Sequence, residues 1–68
     1  MTKAEAEVAL RSGKKITHHF YGIGEYIFLN HRNMIQTEDG FEQGTLLDYW
    51  WMGVQQWPDG WEIVNKTN

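Results

Sequence analysis

Sixty-eight residues without cysteine and with a net charge of -3 leave room for one small domain, taken as 1-68, and exclude disulfides as its staple. No apolar run approaches the ~18 residues of a membrane span, no apolar signal core opens the chain, and no basic stripe would follow a phosphate backbone. A membrane protein and a binder of nucleic-acid polymers are therefore set aside, and a soluble, cytoplasmic chain is expected.

Thr2 followed by Glu5 forms a capping box, Ala4 to Arg11 contains good helix formers, and Gly13 stands where a left-handed residue ends a helix. Ala6, Ala9 and Leu10 make its small apolar stripe, which should lie close against a sheet. From Lys14 to Tyr21 the pattern alternates: Ile16, His18 and Phe20 share one face, with Lys15, Thr17, His19 and Tyr21 on the other. Gly22-Ile23-Gly24 turns the chain into a second strand, Glu25 to Leu29, with apolar residues on both faces, and the two strands should form a hairpin. Asn30 to Asn33 is turn chemistry and Met34 to Thr37 a third strand. After the Asp39-Gly40 turn, Phe41 to Gln43 should run back antiparallel to it.

Leu46 to Met52 fits two readings. Thr45-x-x-Asp48 could cap a helical turn, whereas aromatic density favours a strand, which is the expectation adopted. Trp57-Pro58-Asp59-Gly60 is a further turn, Trp61 to Val64 a closing strand with Trp61 and Ile63 inward, and Asn65 to Asn68 a polar tail expected to fray. The fold class is thus α+β, a short N-terminal helix packed on a small, mainly antiparallel sheet of four to five strands.

The stretch from Asp48 to Trp61 holds all four tryptophans, each able to remove roughly 150–250 Å² from water. Phe20, Phe28, Leu47 and Trp61 are the expected core, and of the strand neighbours Trp50 and Trp51 one must face outward, onto a subunit contact or a stacked guest. Because a lone core this small rarely supplies more than ~3–5 kcal/mol, a homo-oligomer is expected. His18-His19 would face opposite sides of a strand and lacks ligand partners at a familiar spacing, so no metal is expected. Gly22-x-Gly24 lacks the third glycine and the helix of a phosphate loop, and Ser12 is the lone serine, so neither a cofactor nor catalysis is expected.

Ala6, Ala9-Leu10, Gly13-Lys14-Lys15-Ile16-Thr17, Tyr21, the glycine turn, the Asp-Gly hairpin and the closing Trp61-Glu62-Ile63-Val64 together resemble small phage proteins of the Thoeris anti-defence sponge type. The resemblance spans Ala6 to Val64. It implies a homo-oligomer without enzyme activity that sequesters cyclic nucleotide or cyclised ADP-ribose signals, in pockets at subunit interfaces. By position, His18 stands where the family usually has arginine, Tyr21 where it has a stacking tryptophan, and Trp61 at the closing tryptophan, while Gly60 replaces an aspartate. On this reading Tyr21 and one of Trp50 or Trp57 would sandwich a base, Thr17, His18 and Gln55 would hydrogen-bond it, and Lys14 or Lys15 would balance phosphate charge. Two alternatives need no resemblance: a small interaction module that inhibits a host protein through a Trp50/Trp51 face, and a structural role in a virion or scaffold.

Overall fold

The computed structural model describes residues 1–52 and 57–64; Gln55 and the tail from Asn65 to Asn68 lie outside the described residues. Helix α1 (Lys3–Arg11) begins with the expected box: Thr2 Oγ1 accepts the Glu5 N–H at 3.2 Å, and the Glu5 carboxylate accepts the Thr2 N–H at 2.9 Å. Gly13 follows at φ +84°, and its N–H donates to the Leu10 carbonyl at 3.0 Å. Ala6, Ala9 and Leu10 are buried, so the small stripe does bring the helix close to the sheet.

Five strands follow: β1 (Ile16–His18), β2 (Ile27–Leu29), β3 (Met34–Thr37), β4 (Glu42–Thr45) and β5 (Trp61–Ile63). They form one sheet in the order β4-β3-β2-β1-β5 with every pairing antiparallel, so the chain has an α+β fold with one helix on a five-stranded sheet. Register sets the inner face. Ile16 pairs with Ile27, Leu29 with Ile35 and His18 with Trp61, and directly opposed residues share a side. Helix α1 packs over β5, β1 and β2, and the segment after β4 packs over β3 and β4.

That segment corrects the strand expected over Leu46 to Met52. Leu46–Trp51 is a π-helical turn, capped by Thr45 Oγ1 accepting the Asp48 N–H at 3.0 Å and closed by the Met52 N–H on the Leu47 carbonyl at 3.1 Å. A strand would have put Asp48 on the same side as Leu46 and Trp50. Helical winding brings Leu46 and Trp50 together in the core and leaves Asp48 in water, avoiding the cost of a buried carboxylate. Leu47 and Phe20 are also corrected, from core to surface, at 62% and 66% exposed. Leu47 lies on the outer side of the turn, and Phe20 follows the end of β1, where the Tyr21 N–H closes onto the His18 carbonyl at 2.8 Å. Phe28 is half-buried opposite Gln36, on the other side of the sheet from buried Ile27. Ile63 pairs with buried Ile16 and so shares its inner side as expected, but at the end of edge strand β5 it stays 40% exposed.

Trp50 and Trp61 are both fully buried, with ring centres 4.7 Å apart. The Trp61 indole N–H donates to the Trp57 carbonyl at 3.0 Å, whereas the Trp50 indole N–H has no hydrogen-bond partner among the described residues, a cost of about 1–3 kcal/mol. Lys3 Nζ lies 5.3 Å from the Trp50 ring and 5.2 Å from the Trp51 ring, joining the buried indole to its exposed neighbour. Gly60, just before β5, has φ +93°, and a β-carbon there would stand 2.7 Å from His18 Nε2 and closer still to the His19 ring. The aspartate that the resemblance puts at this position therefore has no room beside the two imidazoles. Gly40 has a similar φ of +92° but open space around it. Gly40→Ala is expected to cost roughly 1 kcal/mol of backbone strain, and Gly60→Ala about 2–4 kcal/mol because collision adds to strain. Urea unfolding of the two variants checks the order, and equal losses would refute the close fit at Gly60.

Candidate functional site

Residues from two stretches, 19–21 and 57–61, converge around His18, which is 2% exposed. Its Nδ1 accepts the Phe20 N–H at 3.1 Å and its Nε2 lies 2.7 Å from the Asp59 carbonyl. A backbone N–H only donates and a carbonyl only accepts, so Nδ1 is bare and Nε2 carries the proton. The ring is stacked between His19, at 4.5 Å and 25°, and Trp57, at 4.1 Å and 26°, with the Trp61 edge 4.7 Å away. Both nitrogens and both faces of His18 are therefore committed inside the chain, which corrects its expected role as a hydrogen-bonding partner of a guest. The opposed orientation expected for His18 and His19 is corrected too: β1 stops at His18, and the imidazoles stack.

Tyr21 and Trp57 come together edge to face, with ring centres 5.9 Å apart at 66°, which corrects the expected sandwich because rings in direct contact leave no parallel gap for a base between them. Trp57 is half-buried, and the exposed Phe20 ring lies 5.3 Å from it. Trp50 belongs to the layer beneath, behind Trp61, with no exposed surface for stacking. Thr17 lies on the opposite side of β1 from His18, where its hydroxyl donates to the Glu25 carbonyl at 2.7 Å. Lys14 is exposed beside the end of α1, with its N–H on the Ala9 carbonyl at 3.0 Å, and Gln55 lies outside the described residues. Of the expected site residues, the fold thus gathers His18, Tyr21 and Trp57, and separates Thr17, Lys14 and Trp50 from the exposed part of the cluster.

Tyr21 also walls a cleft of about 250 Å³. Ile27 and Thr37, paired across β2 and β3, form its floor, with Tyr26, Glu38 and Tyr49 around them and Glu25, Asp39, Phe41 and Gln43 at the rim. Sequence reading missed Tyr26, Glu38 and Tyr49. The signal for the first two was the β2–β3 hairpin, because Tyr26 and Glu38 flank the pair Ile27 and Thr37; Tyr49 had none, since its place depends on the π-helical turn. The Glu38 carboxylate accepts the Tyr26 N–H at 3.1 Å, and the Glu25 carboxylate accepts the Gly22 N–H at 2.6 Å. Among the described residues no group of three or more His, Asp or Glu is placed to hold a metal ion, and no helix is long and apolar enough to cross a membrane.

Burial pushes the Tyr21 phenol well above its ordinary range, helped by the neighbouring Tyr49 phenol and by the Glu25 and Glu38 carboxylates, and burial raises Tyr49 as well. The unfolded chain ionises these phenols first, so the folded state binds more protons at alkaline pH. Stability should hold up to about pH 10 and fall above it. The urea midpoint measured at about pH 8 and about pH 11 checks this, and Tyr21→Phe should show a smaller alkaline loss than the parent chain.

Comparison with protein-family models, with curated proteins and with solved structures returned no match.

Proposed function

We propose that this chain is a non-catalytic binding module that sequesters a small flat guest of nucleotide type, acting in the cytoplasm of a phage-infected bacterium. The observation that carries the reading is the gathering of Tyr21 and Trp57 with the exposed rings of Phe20 and His19 into one aromatic surface. The resemblance to anti-defence sponges supplies the guest class. Stacking on such rings is worth roughly 1–3 kcal/mol per base and needs no basic groove. The internal stack of His19, His18 and Trp57 provides a rigid backing, which limits the ordering cost of binding. The phosphates would stay outside the tyrosine cleft, whose lining contains carboxylates and no lysine or arginine.

At 100 times its dissociation constant, a guest should stabilise the chain by about 2.7 kcal/mol, a melting shift on the order of 10 °C at this size. A thermal-shift panel of cyclic dinucleotides, cyclic trinucleotides and cyclised ADP-ribose is expected to contain at least one such ligand. Trp57→Ala should abolish its shift, and a panel without response refutes the reading.

A second reading concerns self-association. Leu47, Trp51 and Met52 lie on the outer side of the π-helical turn at 62%, 45% and 74% exposed. The occupant we assign to this face is a second copy of the chain, because a core built from nine buried apolar residues among those described is small and tryptophan is a frequent interface anchor. Sedimentation equilibrium should give a multiple of 8.0 kDa for the parent chain and a lower mass for Trp51→Glu. A monomeric parent chain refutes it, and a stoichiometric host protein captured on the same face would favour the inhibitor reading.

A further inference from the structure

The tyrosine cleft differs in chemistry from the aromatic surface beside it. Its side chains bring three carboxylates, from Glu25, Glu38 and Asp39, and no cationic group. Carboxylates alone would mark only a hydrated acidic surface. Here they line a recess of about 250 Å³ together with Tyr21, Tyr26 and Tyr49. Ring faces carry the negative side of an aromatic quadrupole and attract cations, most strongly where water is partly excluded. The chain's own Lys15 shows the affinity from outside the cleft: its Nζ lies 5.0 Å from the centre of the Tyr26 ring, in a neighbouring recess that Lys15 lines with Glu25, Tyr26 and Glu62.

We infer that this cleft is a binding site for a small organic cation, an ammonium head on a short apolar body. The inference is independent of the nucleotide reading, which uses the other side of Tyr21. Two carboxylates are held ready by the backbone: the Gly22 N–H bonds Glu25 Oε1 at 2.6 Å and the Tyr26 N–H bonds Glu38 Oε1 at 3.1 Å. Each keeps its second oxygen without a partner among the described residues. An anion would face these oxygens directly, and a neutral apolar guest would leave them desolvated and uncompensated. An alkylammonium neutralises them while its methyl or methylene groups pack against the tyrosine side chains.

Choline chloride is the probe, and its uncharged isostere 3,3-dimethyl-1-butanol the control, each titrated into the full chain while the tyrosine ring signals are followed by NMR. Choline should shift the Tyr21, Tyr26 and Tyr49 signals saturably, and the isostere should bind at least roughly tenfold more weakly. Glu38→Gln keeps an acceptor for the Tyr26 N–H and should weaken choline about tenfold, as should Asp39→Asn, whose carboxylate makes no internal bond. Glu5→Gln, in the first turn of α1 and outside the cleft lining, keeps an acceptor for the Thr2 N–H and should leave choline binding unchanged. Equal binding of choline and its isostere, equal losses in the Glu38 and Glu5 variants, or shifts that never saturate would each overturn the inference. The same samples titrated with cyclic nucleotides keep the two proposals apart: a nucleotide response without a choline response overturns only the cation site, and the converse overturns only the nucleotide reading.

Discussion

The contact between Trp50 and Trp61 holds the two halves of the molecule to each other. Trp61 enters from β5, beside the first strand and the helix, and Trp50 enters from the π-helical turn that covers the far strands, so the indole pair links the two ends of the sheet. Truncating either ring would remove on the order of 3–5 kcal/mol, about what a core of this size supplies in total. The backbone reinforces the same point, since the Trp61 N–H donates to the Met1 carbonyl and the Lys3 N–H to the Pro58 carbonyl, which ties the start of α1 to the approach to β5.

Once Trp61 is in place, His18 has little freedom. It is the residue paired with Trp61 across β1 and β5, and burial there obliges both ring nitrogens to find partners, which the Phe20 N–H and the Asp59 carbonyl provide. The ring then fills the slot between His19 and Trp57 that a planar guest would otherwise take. Stacking capacity is displaced outward, to Phe20, His19 and the half-buried Trp57. Gly60 completes the arrangement, because any side chain at that position would meet the two imidazoles.

Tyr21 divides two chemically unlike surfaces. On one side its ring meets Trp57 and Trp61, and on the other it lines the cleft with Tyr26, Tyr49 and the carboxylates. Aromatic rings serve both, but the charge around them separates what each would take under the two proposals: a flat base whose phosphates remain in water on the first, a cation on the second. One short chain thus presents aromatic surface in two electrostatic settings, because the acids of residues 25 to 39 collect at the end of the β2–β3 hairpin.

Much of the fold was legible locally. The capping box at Thr2 and Glu5, the glycine after α1, the strand Met34–Thr37 and the α+β class all depend on residues within a few positions of one another. The character of Leu46 to Met52 was not legible, because helix and strand bury different residues around Asp48 and only the position of the rest of the core decides between them. Nor was the stacking of His18 on His19, which follows from where β1 ends. The sequence by itself determined the N-terminal helix, the order of the strands on either side of the Leu46–Met52 segment, and the concentration of rings between Asp48 and Trp61. Which rings are buried, and the existence of the cleft, were decided by the tertiary structure alone: Tyr21, Ile27, Thr37 and Tyr49 come from separate segments, and only strand register and the winding of one helical turn bring them to the same recess.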